Sequence, residues 1–409
     1  MKKTLLVVIV LGLCAATAWS RSLHAGPGKM GLREALALAQ PFDTVFVHGG
    51  EYRDTASFEI TRPLTLIGLD WPLLDGANRL QPLSVRSNYV SVSGFRVANS
   101  PSAGLEDYAG IKVYNARYVY IWGNRLENNY FGIYLSNCVN CVVTGNHLQA
   151  SGTVEQTSGN GVHAWKCDSL TITDNFAAGH RDGIYFEFVT NSFIRNNHSE
   201  GNLRYGLHFM FSHNDHYENN TFYRNGAGVA VMYSRRVTMH GNRFLENQGS
   251  SAYGILLKDI SDSQMTDNEF QRNTTGIYME GCSRCRFEHN TFRQNGWAIK
   301  LQASCDGNLF TRNNFWANTF DIATNNALVL NTLESNFWDK YEGYDLARDG
   351  VGDVPYRPVS LYARIAEDMP YAMMLWRSFM VTLLDRAEKV IPSLTPENLR
   401  DDTPSMKAL

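Results

Sequence analysis

The chain has 409 residues, a formal net charge of −3, 33 glycines and 12% aromatic residues. So even a charge balance excludes the basic footprint of a nucleic-acid binder. The length accommodates one elongated domain with appendages, and beyond the first twenty residues no run of 18 or more apolar residues offers a membrane span.

Residues 1–20 read as a secretory leader. Lys2 and Lys3 form its charged start, residues 5–16 an apolar stretch too short to span, and Ala16-Thr17-Ala18 a small-x-small cleavage site. The expected destination is a bacterial periplasm. Cys14 makes a poor lipidation box because bulky Leu13 precedes it. Residues 21–110 read as a cap helix followed by irregular first coils. In the stretch 28–40, Leu32, Ala35, Leu36 and Ala39 share one helical face, and a helix there would cover exposed strand edges.

From 111 to 335 the chain repeats. Asn stands two residues before an aromatic residue at Asn220, Asn242, Asn268, Asn290 and Asn313, with weaker copies upstream at Asn124, Asn146, Asn175 and Asn197 and a last one at Asn336, most often at intervals of 22 or 23 residues. A second ladder runs through Gly110, Gly132, Gly161, Gly183, Gly206, Gly228, Gly254 and Gly276 and shares the same two insertions. A fixed period of this size means a solenoid. Each repeat holds short alternating runs bounded by Gly, Asn and Ser, so its elements are strands joined by tight turns. The expected fold is all-β: a right-handed single-stranded parallel β-helix of 22–23 residues per coil, with coils about 4.8 Å apart. The ten Asn-marked coils would extend about 48 Å. Inward ladders run through Ile111, Ile133, Val162 and Ile184, and through Phe222, Phe244, Phe270, Phe292 and Phe315. The repeating Asn is expected at a left-handed turn position, with its amide bonded to the same amide one coil away.

Alternation also names the outward positions. One row holds Tyr134, His163, Tyr185, His208 and Tyr278; the next holds Trp165, Glu187, Met210, Met232, Lys258 and Glu280. Solvent-facing Met is unusual. Thioether beside imidazole suits copper, Met selecting Cu(I). The competing expectation is a partner that covers this face and packs on the methionines. His213 and His216 lie in the turn after the same coil and either join the patch or bond turn carbonyls. His147, His198, His240 and His289 sit beside the repeating Asn and read as structural or solvated; Met239 and Met265 fall on an inward ladder.

Six cysteines follow the leader: Cys138, Cys141, Cys167, Cys282, Cys285 and Cys305. Cys138 and Cys282 hold equivalent positions six coils apart, about 29 Å, so no single ion bridges the two CxxC pairs. Apolar fillers near turns are the first expectation, local disulfides the second, separate copper-thiolate sites the third.

Residues 336–358 break the repeat. Asp345, Asp349 and Asp353 with Gly350 and Gly352 approach a calcium loop, but Ala347 stands where a ligand is wanted. A compact closing turn, with Trp338, Tyr341 and Tyr344 plugging the solenoid, is the leading expectation. Residues 359–391 read as an apolar docking helix presenting Met369, Met373, Met374, Leu375, Trp376, Phe379, Met380 and Leu383. The alternative is a helix folded back on the solenoid. Residues 392–409, with Pro392, Pro396 and Pro404, are expected to be a flexible tail.

The segment YGLHFMFSHND at 205–215, the run 336–356 and the helix after it together resemble the NosD family, periplasmic accessory proteins of nitrous oxide reductase maturation. The resemblance spans essentially the whole mature chain. It implies work with an ABC transporter made of a membrane permease and a cytoplasmic ATPase, on assembly of the copper-sulfide centre of nitrous oxide reductase. A copper chaperone lipoprotein is a further implied partner. The chain has no phosphate-binding loop, so nucleotide is expected elsewhere. On this view residues 369–384 contact the permease, and copper is handled transiently by His163, Glu187, His208, Met210 and Met232, with His213 beside them. A rival of another class is a polysaccharide lyase or C5-epimerase using His180, Arg181, Asp182, Tyr185, Glu187 and His208. Against it, Lys166 and Arg204 are thin provision for a polyanionic sugar. A non-catalytic docking scaffold is the third reading.

Overall fold

The computed structural model describes residues 20–102, 106–325, 330–376, 378–390 and 399–409. Apart from Ser20, the expected leader lies outside the described residues, as does the first part of the expected tail.

Alternating apolar residues bounded by turn formers fold into short strands, and each strand pairs in parallel with its equivalent one coil away. Ile111 pairs with Ile133, and Val162 with Ile184. Among the described residues this yields three parallel sheets of 14, 12 and 13 strands, each coil contributing one strand to each sheet. The architecture is the expected right-handed parallel β-helix, with about 13 turns rather than the ten marked by Asn. The difference lies in the first coils, which carry strands in register without an Asn rung: Val45 pairs with Leu66, and Leu66 with Val92. They are less irregular than their sequence suggested.

Two repeating interactions hold the coils in step. The first is a stack of buried rings, Phe222, Phe244, Phe270, Phe292, Phe315 and Trp338, with centroids 4.1–5.5 Å apart. The second is the Asn ladder. Asn242 Oδ1 accepts from the backbone N–H of Asn220 at 3.0 Å and from its Nδ2 at 2.9 Å. Asn242 Nδ2 in turn donates to the Tyr217 carbonyl at 2.9 Å and to Asn268 Oδ1 at 3.1 Å. The left-handed residue is not the ladder Asn but the one before it, for example Asn219 (φ 54°), Gly241 (φ 64°) and His289 (φ 53°). The ladder Asn sits past the turn, where its amide can satisfy buried backbone groups on both sides. A second Asn ladder, through Asn202, Asn225, Asn247, Asn273, Asn295 and Asn318, does the same work five residues later. The Gly column is steric. A Cβ at Gly132 would lie 2.5 Å from the carbonyl oxygen of Gly161 on the next coil.

Helix α1 (Leu32–Leu38) closes the first coil with Leu32, Ala35 and Leu36 buried. At the other end the single helix expected over 359–391 is broken. It comprises α2 (Leu361–Asp368), a 3-10 turn (Pro370–Leu375) and α3 (Phe379–Val390). Pro370 forces the break, because it lacks an N–H and disfavours helix at Met369 before it, where φ is −131° and ψ 86°. Among the described residues no helix is long and apolar enough to cross a membrane.

The flexible tail needs correction. Residues 399–409 return to the solenoid and finish its ladder. Asp401 Oδ2 accepts from Asn336 N at 2.9 Å, Asn336 Nδ2 at 3.0 Å and Trp338 Nε1 at 3.1 Å. A fully buried carboxylate thus stands where the next Asn amide would be. Trp338 plugs the end as expected, but Tyr344 is 55% exposed.

Candidate functional site

The outer face of the 12-stranded sheet carries two side-chain columns. In the first, Tyr134, His163, Tyr185, His208 and Ala230 follow one another in register; in the second, Trp165, Glu187, Met210, Met232 and Lys258 do. The expected vertical spacing holds. His163 and Tyr185 rings stack at 4.8 Å, and Tyr185 meets His208 edge-on at 5.0 Å.

The expected exposure of the imidazoles does not hold. His163 and His208 are only 9% and 3% exposed. Alternation fixes their direction, but bulky neighbours roof them over. Phe131 and Tyr134 press on His163 at 4.4 and 4.6 Å, while Tyr205 covers His208 at 4.9 Å. Burial, with Arg181 and Lys112 nearby, drives the His163 pKa down to about 3; burial, with Arg204 and Arg181, does the same for His208. Both rings are therefore neutral and chemically able to donate a lone pair.

Their bonding differs. His163 Nδ1 is engaged by Asn160 Nδ2 at 2.9 Å. Both ring nitrogens of His208 lack a partner among the described residues. Met210 and Met232 are half-buried, one above the other, and Glu187 lies below Met210. The Tyr185 hydroxyl donates to Glu187 at 3.3 Å, and its pKa is pushed up to about 12 by burial and then by that carboxylate. Hence Glu187, His208, Met210 and Met232 come together. His163 is set two coils from Met232's neighbour Met210 and capped by Asn160. His213 lies round the corner, past left-handed Phe211 (φ 50°), where its backbone forms an isolated parallel bridge with Thr190.

A feature missed in the sequence borders this patch. Phe188, Phe211 and Tyr233 stack at 5.2 and 5.0 Å, each immediately after Glu187, Met210 or Met232, and each is at least 37% exposed. Their spacing by one coil was visible. Their exposure follows from positive φ, which turns bulky rings outward at the corner and is uncommon for such residues. Also missed were His24 and His48, which lie in the first coils before the Asn rungs begin. Their ring nitrogens approach to 3.0 Å.

The other candidates separate. His180 is fully buried, with a pKa pushed down to about 4 by burial, so it does not reach a substrate on the outer face. Asp182 is buried behind Arg181, 3.2 Å away, and burial raises its pKa. The six cysteines among the described residues are free and buried. Cys167 sits directly over Cys138, its sulfur accepting from the Cys138 N–H at 3.3 Å. The hydrogen bond with Cys141 lowers the Cys138 pKa, but Cys167 and burial outweigh that bond and push the pKa up to about 12. The aspartates of the closing loop bond their own backbone rather than converging on an ion: Asp345 accepts from Asp349 and Gly350, and Asp353 from Leu346. Among the described residues no three of His, Cys, Asp and Glu gather as a resident metal would require.

The C-terminal helices pack at the last strand of the same sheet. Phe320 meets Tyr362 at 5.9 Å and Trp376 at 5.2 Å, with Met373 turned toward this small core. The opposite side is bare: Tyr371, Met374 and Phe379 are 80–87% exposed, and Met369, Leu375, Trp376, Met380 and Leu383 are exposed too.

Fold and site together define a parallel β-helix protein whose outer face carries imidazole, thioether and carboxylate side chains. Residues 148–343 match the family model described as periplasmic copper-binding protein (NosD). The chain is 29% identical over 374 residues to a probable ABC transporter binding protein NosD of Pseudomonas aeruginosa, covering 87% of this chain and 86% of that one. A protein of the same description from Stutzerimonas stutzeri is 29% identical over 309 residues, 70% of this chain and 69% of the relative. Over most of its length the chain is similar to NosD proteins, a family described as periplasmic. Solved structures share the fold alone. The A-module of a mannuronan C-5 epimerase of Azotobacter vinelandii matches at 16% identity and TM-score 0.56, over 74% of this chain and 94% of that one. An α-1,3-glucanase of Streptomyces thermodiastaticus matches at 14% and 0.60, over 79% and 69%.

Proposed function

We propose that this chain is a non-enzymatic accessory protein that works with an ABC transporter to build the copper-sulfide centre of nitrous oxide reductase, receiving copper and passing it on. The observation that carries the reading is His208: a buried, neutral imidazole with both ring nitrogens unpartnered among the described residues, beside the stacked thioethers of Met210 and Met232. An orphaned buried donor is costly unless a ligand satisfies it. Neutral imidazole with thioether is the donor set that favours copper over harder ions, and thioether favours Cu(I). Here copper is cargo, held by few protein ligands so that it can leave. Glu187 is the carboxylate nearest the patch. His163, occupied by Asn160, and His213, round the corner, lie outside it.

The bare apolar side of the C-terminal helices supports docking on the permease, with the ATPase on the far side of the membrane hydrolysing the nucleotide. The exposed strip of Phe188, Phe211 and Tyr233 supports a second protein contact beside the copper patch, for the chaperone lipoprotein or the reductase. Titration of the mature protein with Cu(I) under competition tests the copper role. Sub-micromolar binding of one equivalent is expected, weakened at least ten-fold by His208→Ala and by Met210→Ala. Stoichiometric binding that ignores both substitutions, or none at all, leaves a docking scaffold. Uronate epimerised or cleaved by the protein would restore the enzyme reading.

A further inference from the structure

The chain begins its solenoid with a second group of nitrogen donors, six coils from His208, or about 29 Å along the axis. His24 lies in the first strand, Ser22–Ala25, and His48 follows the second, Asp43–Val47. The parallel register pairs His24 with Phe46, and His48, two residues further on, brings its ring to 5.3 Å from that of His24, centroid to centroid. His24 Nδ1 lies 3.0 Å from His48 Nε2, and the Lys29 amine lies 2.6 Å from that same Nε2. Both rings are braced. His24 stacks on Phe46 at 5.1 Å, and the Tyr52 hydroxyl donates to the His48 carbonyl at 2.6 Å. The His24 ring is solvent-exposed and that of His48 partly so.

We propose that His24 and His48 form an open binding site for a divalent first-row metal ion, Cu2+ above the others. Two cis nitrogens on a tetragonal copper ion, each about 2.0–2.1 Å from it, stand about 2.9 Å apart. The 3.0 Å separation here is already close to that. Imidazole nitrogen without thioether or thiolate suits divalent copper, nickel and zinc, and affinity among them peaks at copper. In the metal-free protein Lys29 occupies the lone pair of His48 Nε2. Metal entry moves the ammonium into water and leaves the His24 proton on its Nε2. The remaining coordination positions stay open to water or to a donor from another protein.

Cu2+ titration of the untagged mature chain, read by nitrogen hyperfine coupling and chelator competition, tests the site. One equivalent coupled to two imidazole nitrogens is expected. His24→Ala and His48→Ala should each weaken it at least ten-fold at unchanged melting temperature, since neither ring is in the core. Lys29→Met, which removes the competing ammonium, should tighten it several-fold. His208→Ala and Met210→Ala should leave it untouched, so this site and the proposed Cu(I) patch stand or fall separately. Wild-type Cu2+ affinity in both His24→Ala and His48→Ala overturns the proposal, as does loss of the signal in His208→Ala alone.

Discussion

Mild acid should expose how deeply His208 is buried. Its pKa falls from the ordinary 6.5 to about 3, chiefly through burial. A lowered folded-state pKa means that the unfolded chain takes up the proton first. The associated stability is intact above pH 6.5 and drains away as pH falls toward 3. The slope in that window is about 1.4 kcal/mol per pH unit per group. Between pH 7 and pH 5 His208 therefore costs the fold about 1.9 kcal/mol. His163, near 3, and His180, near 4, act in the same direction. Asp182, Asp215 and Asp321 act in the opposite one, because burial raises their pKa values. The net curve mixes these terms, so the clean measurement is a difference. His208→Phe keeps a ring and removes the titration, while the other groups stay common to both proteins. Urea unfolding at pH 7 and pH 5 should show wild type losing about 2 kcal/mol more than the variant over that interval. An equal loss in both would refute the buried, neutral imidazole, and its suitability as a copper ligand would go with it.

Asp401→Ala should strip the ladder of its last acceptor and orphan the N–H and amide of Asn336 together with the Trp338 indole. At about 1–3 kcal/mol per buried orphan, a loss of about 3–5 kcal/mol is expected by chemical denaturation; Asp401→Asn, which keeps an acceptor, should lose far less. A change below 1 kcal/mol in the alanine variant would mean that the tail does not close the solenoid. Deleting residues 369–389 should abolish co-purification with the transporter permease and leave the solenoid's circular dichroism intact, because their apolar side faces solvent. Met374→Ser with Phe379→Ser should weaken the association without touching the small core around Phe320, and retained co-purification in the deletion would sink the docking assignment.

The repeat was legible because it is made of interactions with a fixed address. An Asn amide can satisfy the coils on either side only if it recurs once per coil, and the Gly column tolerates no Cβ, so both leave a period in the sequence. The inward ladders and the outward columns follow from alternation on that ruler. What alternation cannot report is cover. His208 points outward, yet Tyr205, three residues before it, lies over it, and only ring orientation reveals that. Position one residue off was equally costly: the left-handed turn was assigned to the ladder Asn when it belongs to Asn219, Gly241 and their equivalents. The return of residues 399–409 was illegible for another reason. Asp401 reaches Asn336 across 65 residues, with proline-rich chain between that reads as disordered. His24 and His48 fall outside the ruler because the first coils carry no ladder Asn.

The burial of His208 changes what the proposed copper surface would be. Were the imidazole at the surface, copper would meet water, and acid would compete for the ligand. Beneath Tyr205 and Tyr185 the lone pair is dry, and proton competition is displaced to about pH 3. The thioethers of Met210 and Met232 stand outside it, half-exposed and one coil apart, a separation of about 4.8 Å. Thioether affinity does not depend on pH, since sulfur there carries no proton to lose. The proposed path therefore runs from accessible, weak sulfur donors toward a guarded nitrogen, with the exposed rings of Phe188, Phe211 and Tyr233 as the platform on which a donor or acceptor protein would seat. Such a gradient sets direction by access rather than by affinity: a partner that covers the aromatic strip excludes water from the sulfurs and leaves copper two exits, back to the protein that brought it or across to the one that replaces it.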